Sequence, residues 1–587
     1  MAEAIHVGPL ETLKNDGAKV VKGGKHGIAV FLHEGELHAV DNRCPHMGFP
    51  LHMGSLCDGI LTCHWHHARF DVKSGGTLDP WADDVPTYPV EVKDGEVWVK
   101  PTPHHKVTVE KLQQRLREGL EQSLSLVIAK AVVGLVEAGI STSEIAKVGV
   151  EFGTKHRQSG WRSGLTILTA MTNILPKLDK TGQILALYQG LVHVARESSG
   201  MGTRFLLGSL PVTNEMENQS VEQLAKWYRH CVEVRDAQGA ERVLLTAMES
   251  GSTNVQLADM MMAAITDHFY INTGHTLDFH NKAFEILEHI GEEYRPYVLT
   301  SLLPGISNVS RSEESHSWQS PVNLVKPLNE AFEKLEDTFK AGKSMEVADF
   351  DENALVEQLL SDQPIETIQM MMQALESGIT PVRLAQLVSL AAAERIARFH
   401  TQNDFNDWIT VLHTFTHAHA VHQSLRRSTT VELTRALFHG AMSVYLDRFL
   451  NMPTARKPQP AEAVKTSQDP SELLEIMNKQ QQVTEAARWV MTYLVGGGEK
   501  APLFNILGHS LLREDAEFHS FQMYEAGVVE HDYWAGEESS LSERAQETMI
   551  LAMTRYLAGH APTAREMPHT VRIAMRLHEG EKLFEEE

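Results

Sequence analysis

The chain has 587 residues, 42% of them hydrophobic and 22% charged, with no biased tract, so it reads as a globular protein of about two to five packed units. Its formal charge of −24, with no dense Lys/Arg cluster, argues against nucleic acid as a partner, because phosphate binding needs a basic surface; the same charge favours a basic redox partner. There is no charge-free apolar run of about eighteen residues and no basic-then-apolar leader, so neither a membrane span nor a secretory signal is expected, and the expected location is cytoplasmic.

Residues 1 to about 103 have the grammar of β structure. Ile28-Ala-Val-Phe-Leu32 and Glu36-Leu-His-Ala-Val40 are short runs separated by a Gly-containing turn, and Lys93-Asp-Gly-Glu before Val97-Trp-Val-Lys is a hairpin signal. Pro101-Thr-Pro-His-His closes the region as a linker. From about 105 onward, apolar residues recur at intervals of three and four, as in Leu112, Leu116, Leu120, Leu124 and Ile128. The spacing predicts helices almost throughout 105–587, with breaks at 307–322, 346–353 and 453–470. The expected fold is therefore multidomain. An all-β domain over 1–103 precedes a large all-α domain of repeated helical bundles, divided as 104–345 and 346–587.

The helical part repeats itself. Gly134-Leu-Val-Glu-Ala-Gly139, Thr246-Ala-Met-Glu-Ser-Gly251 and Gln373-Ala-Leu-Glu-Ser-Gly378 align. So do Ala186-Leu-Tyr-Gln-Gly190, Ser301-Leu-Leu-Pro-Gly305 and Ala436-Leu-Phe-His-Gly440. The physical reading is a helix, a glycine cap and a second helix, used three times, with a degraded fourth copy over about 475–560 around Gly496-Gly-Gly498.

Only four cysteines occur, too few for a disulfide scaffold, whereas histidine occurs 31 times. Cys44-Pro-His46 and Cys63-His-Trp-His66 are separated by sixteen residues. Two thiols and two imidazoles on two tight loops suit either zinc or an iron–sulfur cluster. The downstream residues Phe70-Asp71, Ser74-Gly75-Gly76, Pro80 and Tyr88-Pro-Val-Glu-Val-Lys-Asp-Gly decide between them. With these, the first hundred residues resemble Rieske ferredoxins and the Rieske domains of ring-hydroxylating oxygenases. That resemblance implies a [2Fe–2S] cluster held by Cys44, His46, Cys63 and His66, and electron transfer one at a time.

The departures from the family are informative. Phe49 and Trp65 stand where the Rieske proteins of cytochrome bc complexes place two bridging cysteines, and Ala68 and Phe70 stand where they place Ser and Tyr hydroxyls. Fewer hydrogen bonds to the sulfurs imply a low, ferredoxin-like potential. His67 replaces a glycine usual after the last ligand.

The helical histidines fall into groups. Thr273-Gly-His275 through His280, His413 through His422, and Gly508-His509 through His519 are the three clusters. His413 and His417 share a helix face, as do Asp515 and His519, and such pairs are how bundles present metal ligands inward. The candidate ligands of a second metal, mononuclear or dinuclear iron or another transition metal, are His275, His280, His413, His417, His509 and His519. His156 and His268, each 17 residues beyond a repeat glycine, are held in reserve. His400, His439, His560 and His569 read as structural. The oxygenase domain of the ring-hydroxylating family is not carried over, because its signature is absent and the repeat surrounds the site.

No phosphate loop or dinucleotide fingerprint occurs, so electrons are expected from a separate reductase or ferredoxin. The expected function is a Rieske-dependent oxidoreductase, an iron-dependent mono- or dioxygenase acting on a small organic substrate with dioxygen. The alternative is a non-catalytic electron carrier or redox-sensing scaffold whose helices dock partners. A homo-oligomer is among the expected assemblies.

Overall fold

A computed structural model describes residues 3–105, 107–211, 220–306, 309–343, 345, 350–462, 468–581 and 583. They form two compact units, Met1–Val148 with Met567–Glu587, and Gly149–Glu566. The unit boundary thus falls inside the helix Thr142–Glu151, beyond the change of sequence pattern near 105, and residues 149–566 form one unit. Parts of the three expected helical breaks, residues 307–308, 346–349 and 463–467, lie outside the described residues.

The first unit contains nine strands, β1 (Ile5–Pro9), β2 (Ala18–Val21), β3 (Ile28–His33), β4 (Glu36–Asp41), β5 (Ser55–Cys57), β6 (Ile60–Thr62), β7 (Arg69–Asp71), β8 (Val90–Lys93) and β9 (Glu96–Val99). They make three antiparallel sheets in the orders β1-β9-β8, β2-β3-β4 and β5-β6-β7. Three hairpins turn on Glu34-Gly35, Asp58-Gly59 and Asp94-Gly95, with both residues at positive φ, the backbone that matches the twist of paired strands. On β3, Ile28 and Val30 enter one apolar core and Ala29 and Phe31 enter another, so this strand is buried on both faces.

The loops after β4 and β6 close in the same way. In the first, the Cys44 N–H donates to the Phe49 carbonyl (2.7 Å) and the Gly48 N–H returns to the Cys44 carbonyl (2.8 Å). In the second, Cys63 N–H donates to Ala68 (2.9 Å) and His67 N–H returns to Cys63 (3.0 Å). The returning residue is left-handed in both, Gly48 at φ +92 and His67 at φ +63.

Two helices brace the first loop. They are α1 (Val109–Glu121) and α2 (Ser125–Glu137). Lys130 of α2 donates to the Pro45 carbonyl (2.6 Å) and pairs with Asp83 (3.1 Å), and Arg115 of α1 also pairs with Asp83 (2.9 Å). Beside the loop, Arg43 donates to the Leu577 carbonyl (3.1 Å) and to that of Glu581, and Lys25 to His578 (2.5 Å). These cations bond carbonyls at and just beyond the end of the helix Glu566–Glu579.

The second unit is helical. Among its helices are α3 (Ser163–Ile174), α4 (His275–Ile290), α5 (Phe405–Arg427), α6 (Phe518–Ala535) and α7 (Ser542–Gly559). Helices α3, α4, α5 and α6 pack against one another, and α7 packs on α6. None of the described helices is long and apolar enough to cross a membrane.

The aligned glycines have a common geometry. Gly139, Gly251, Gly378 and Gly497 lie at φ +76, +84, +92 and +81, each after a helix. Each donates to the carbonyl three residues back, and the next N–H donates five back, as Ile140 to Leu135 and Gly498 to Tyr493. Gly190 and Gly440, from the second aligned set, instead lie inside helices.

The left-handed His67 makes a stability prediction. An L side chain there costs about 1–2 kcal/mol, and glycine returns about 0.5–1 kcal/mol of that as chain entropy. His67→Gly should therefore stabilise the first unit by roughly 0.5–1 kcal/mol, read as a higher denaturation midpoint of the full chain. An equal or lower midpoint would show that the imidazole contributes contacts that offset the backbone cost.

Candidate metal centres

In the first unit the two loop closures bring four side chains together. Cys44 and Cys63 are both 1% exposed and their thiols hydrogen-bond each other. The bond from Cys44 holds Cys63 down at about 6, while the same bond and burial push Cys44 far above the ordinary thiol range. Beside the sulfurs, the rings of His46 and His66 meet edge to face with centroids 5.0 Å apart. Burial, with the nearby charges of Lys130 and His66, lowers His46 to about 4, so its ring is neutral near pH 7. His46 Nδ1 is buried without a hydrogen-bond partner among the described residues.

Sulfur is thus paired with sulfur and imidazole with imidazole. That segregation, with an orphaned ring nitrogen, fits a [2Fe–2S] cluster whose one iron takes two thiolates and the other two histidines. Trp81 packs on His46 (4.7 Å) and Trp65 on His66 (4.4 Å). Phe49 and Trp65 face each other across the loops at 6.4 Å. Ala68 and Phe70 are wholly buried. Cys57 is exposed.

In the helical unit, three of the eight histidines singled out from the sequence come together. They are His275 on α4, His413 on α5 and His519 on α6, each offering a ring nitrogen within 4.8 Å of the others. The Nε2 atoms of His413 and His519 are 3.0 Å apart, and the rings of His275 and His413 are 4.4 Å apart. Burial lowers His275 to about 4, and burial with its two neighbours lowers His413 to about 2. His519 Nδ1 donates to Glu517 (2.8 Å), whose other oxygen accepts from Ser520 (2.7 Å) and from the hydroxyl of Tyr556 (3.4 Å). Although burial opposes it, the bond from His519 helps hold Glu517 at about 2.

The approach to His275 is strained. Tyr270, Asn272 and Thr273 lie at φ +44, +51 and +53, and Gly274 at φ +90. A left-handed L residue costs about 1–2 kcal/mol, and such strain clusters at functional sites. Gly274 is also required by space, since a Cβ there would meet the Cβ of His417 at 2.9 Å.

The other five histidines lie apart from the trio. His417, one turn beyond His413, donates towards the Ala436 carbonyl (3.2 Å) and packs edge-on against Tyr270. His280 is turned along its own helix to the Thr276 carbonyl (2.7 Å). His509 pairs with Asp179 (2.9 Å). His268 is held between Glu233 (2.6 Å) and Glu313 (2.7 Å), which raise it despite burial. His156 is exposed at the end of the turn Phe152–His156. The carboxylate serving His519 is Glu517; Asp515, four residues away, accepts instead from the Glu566 N–H (2.8 Å).

A second group went unnoticed in the sequence. Lys282, 1% exposed, donates to Glu285 (2.8 Å) and Glu525 (2.7 Å). His419 and His422 both bond Glu530 (2.7 and 2.9 Å), and Asn173 of α3 donates to Glu285 and Glu525. Glu285, His419 and Glu525 could hold an ion by geometry, but the Lys282 ammonium already stands between the carboxylates. Asp278, raised to about 7 by burial, takes a hydrogen bond from Gln522. The available signal was a set of charges, Lys282, Glu285, Glu525 and Glu530, on the same stretches of chain as the clustered histidines.

Residues 3–89 match the family model of the Rieske [2Fe-2S] domain. The ferredoxin component of the alkene monooxygenase system of Xanthobacter autotrophicus is 31% identical over 17% of this chain and 84% of its own length. The ferredoxin subunit of 3-phenylpropionate/cinnamic acid dioxygenase of Photorhabdus laumondii is 38% identical over 15% of this chain and 87% of its own. Among solved structures, the ferredoxin of carbazole 1,9a-dioxygenase from Nocardioides aromaticivorans is 26% identical, covering 17% of this chain and 100% of that one, with a TM-score of 0.17. Through this N-terminal region the chain belongs to the Rieske [2Fe–2S] family.

Proposed function

We propose that the chain is a Rieske-dependent oxidoreductase that uses electrons from its N-terminal cluster at a second transition metal, held by His275, His413 and His519, to oxidise an organic substrate with dioxygen. The observation that carries this reading is the convergence of three imidazoles from three helices, His275 and His413 held neutral by burial, with Glu517 orienting the third. Three protein ligands leave coordination positions open, as reactive rather than structural sites do. A mononuclear centre fits best, because Lys282 supplies the cation of the neighbouring acidic group.

The cluster, when bound, supplies one-electron chemistry. The chain determines where the electron enters and leaves. The sulfurs are buried, His46 is half-buried and His66 is exposed, so the imidazole edge is the side offered to a partner. A separate reductase or ferredoxin is the donor. Ala68 and Phe70 offer no hydroxyl to the cluster, which keeps the potential in the low range.

The relatives favour a second reading, since those named above are ferredoxin components of oxygenase systems. In it the chain is an electron carrier, and the helices dock partner proteins or further copies.

Metal analysis separates the two. Anaerobically purified protein should contain two sulfides per chain and, on the first reading, one transition metal beyond the two cluster irons. His413→Ala should lose that metal and keep the cluster; identical metal content in the variant would remove the trio from the reading, and its absence from the parent would leave the carrier. His66→Cys should keep a cluster and lower its potential by roughly 100 mV or more, because a charged thiolate replaces a neutral imidazole. An unchanged potential and spectrum would take His66 out of the ligand set.

A further inference from the structure

A cavity of about 480 Å³ in the helical unit has none of the three trio histidines in its lining. Its lining comes from His400 and Thr401, the segment 453–460, Arg488 of the helix Val483–Val495, and Arg555 of α7. Twelve residues line it, and none is Asp or Glu, although the chain holds 77 acidic residues against 53 Lys and Arg. Three are arginines: Arg456 and Arg488 are exposed near the mouth, whereas Arg555 is 3% exposed.

Arg555 is the feature that needs an explanation. One of its terminal nitrogens donates to the Phe399 carbonyl (2.5 Å), and its guanidinium lies 6.0 Å from the centre of the Trp408 ring. Its Nε is buried without a hydrogen-bond partner among the described residues. No described carboxylate pairs with it, and burial alone pulls it down to about 10. Lys282 is matched by Glu285 and Glu525, Arg115 by Asp83 and Glu118, and Arg204 by Glu241; Arg395, also buried, bonds the Val444 and Leu360 carbonyls, but it does not line this cavity. A buried cation without an anion is costly, and a guanidinium fork is shaped for a carboxylate or phosphate group.

We propose that this cavity is a binding site for a small organic anion, with its carboxylate or phosphate group on Arg555 and its apolar body against Pro453, Pro458 and Pro460. Arg456 and Arg488 add positive charge at the mouth, and the threonines and Gln459 supply neutral hydrogen-bonding groups. The volume lies within the range of small-molecule pockets. The site stands independently of any second metal. It shares α7 with Tyr556, the residue after Arg555, whose hydroxyl reaches Glu517.

Calorimetric titration of the full chain with benzoate, phenyl phosphate and uncharged benzamide tests the proposal. At least one anion should bind, with benzamide weaker by about tenfold or more. Benzoate above phenyl phosphate assigns a carboxylate ligand, and the reverse order a phosphate ligand. Arg555→Gln should abolish binding and raise the thermal midpoint of the ligand-free chain, since a buried charge is removed. Because that variant alters the interior, the exposed pair Arg456→Ala/Arg488→Ala serves beside it and should weaken binding about fivefold or more. The proposal is overturned if neither anion binds at about 10 mM, if benzamide binds as well as the anions, or if both variants bind as the parent does.

Discussion

The N–H of Cys44 is closed onto the carbonyl of Phe49 and that of Cys63 onto Ala68, and the N-terminal centre depends on those two bonds. Each fixes a cysteine and a histidine on one tight turn, so the four donor groups are placed by backbone geometry rather than by long side-chain reach. Once the loops are closed, the rest follows. The thiols bury against each other, the imidazoles meet beside them, and His46 stays neutral near pH 7 because burial and Lys130 oppose its charge. Lys130 and Arg115 both reach Asp83, so α1 and α2 belong mechanically to the β domain. Where bc-type proteins tie the loops with a disulfide, this chain sets Phe49 against Trp65. Aromatic packing is weaker than a covalent bridge and unaffected by reductants.

The helical trio is organised on the opposite principle. No short loop holds its members, and each comes from a different helix more than a hundred residues from the next. Their placement depends on packing and on the left-handed run before His275. Packing three imidazoles together, two of them neutral, at the end of a strained turn does little for stability by itself. The Nε2 atoms of His413 and His519, 3.0 Å apart, share at most one hydrogen bond. The arrangement is understandable as a preorganised donor set, with the strain balanced by the helices it joins.

The sequence was informative wherever function is local. Two short Cys/His intervals marked the loops that bring four donor side chains together, the Asp-Gly turn located a hairpin, and glycine spacing located helix ends found at φ near +80. The unit boundary was less visible, because α1 and α2 have helical periodicity but pack with strands. Of the helical histidines, His275, His413 and His519 meet while His417 does not, although His413 and His417 share a helix face. Face sharing fixes the direction of a Cβ and not that of a ring; Tyr270 and the Ala436 carbonyl turn His417 aside. Glu517 was missed because it acts from the residue capping α6, outside the helical spacing used to find partners.

The remaining failure has one physical source. On α4, polar residues stand at 275, 278, 282 and 285; on α5 at 413, 416, 419 and 422; on α6 at 519, 522, 525 and 530. Steps of three to five are the signature of a helix face, and a polar face is ordinarily read as the wet one. Here those faces turn towards one another, and Asp278, Lys282, His419, Glu525 and Glu530 are all at most 1% exposed. Periodicity gives the face but is blind to its sign. The sign is set by the partners: Lys282 between two carboxylates and Glu530 between two histidines make burial tolerable, and Glu525 for Lys282, like both histidines for Glu530, comes from another helix. Buried ion pairs of this kind contribute little net stability over apolar packing, so stability alone does not account for filling the interior of a bundle with them. The polar interior begins at the three imidazoles and continues turn by turn along the same helices, which makes it part of the surroundings that any metal held there would experience.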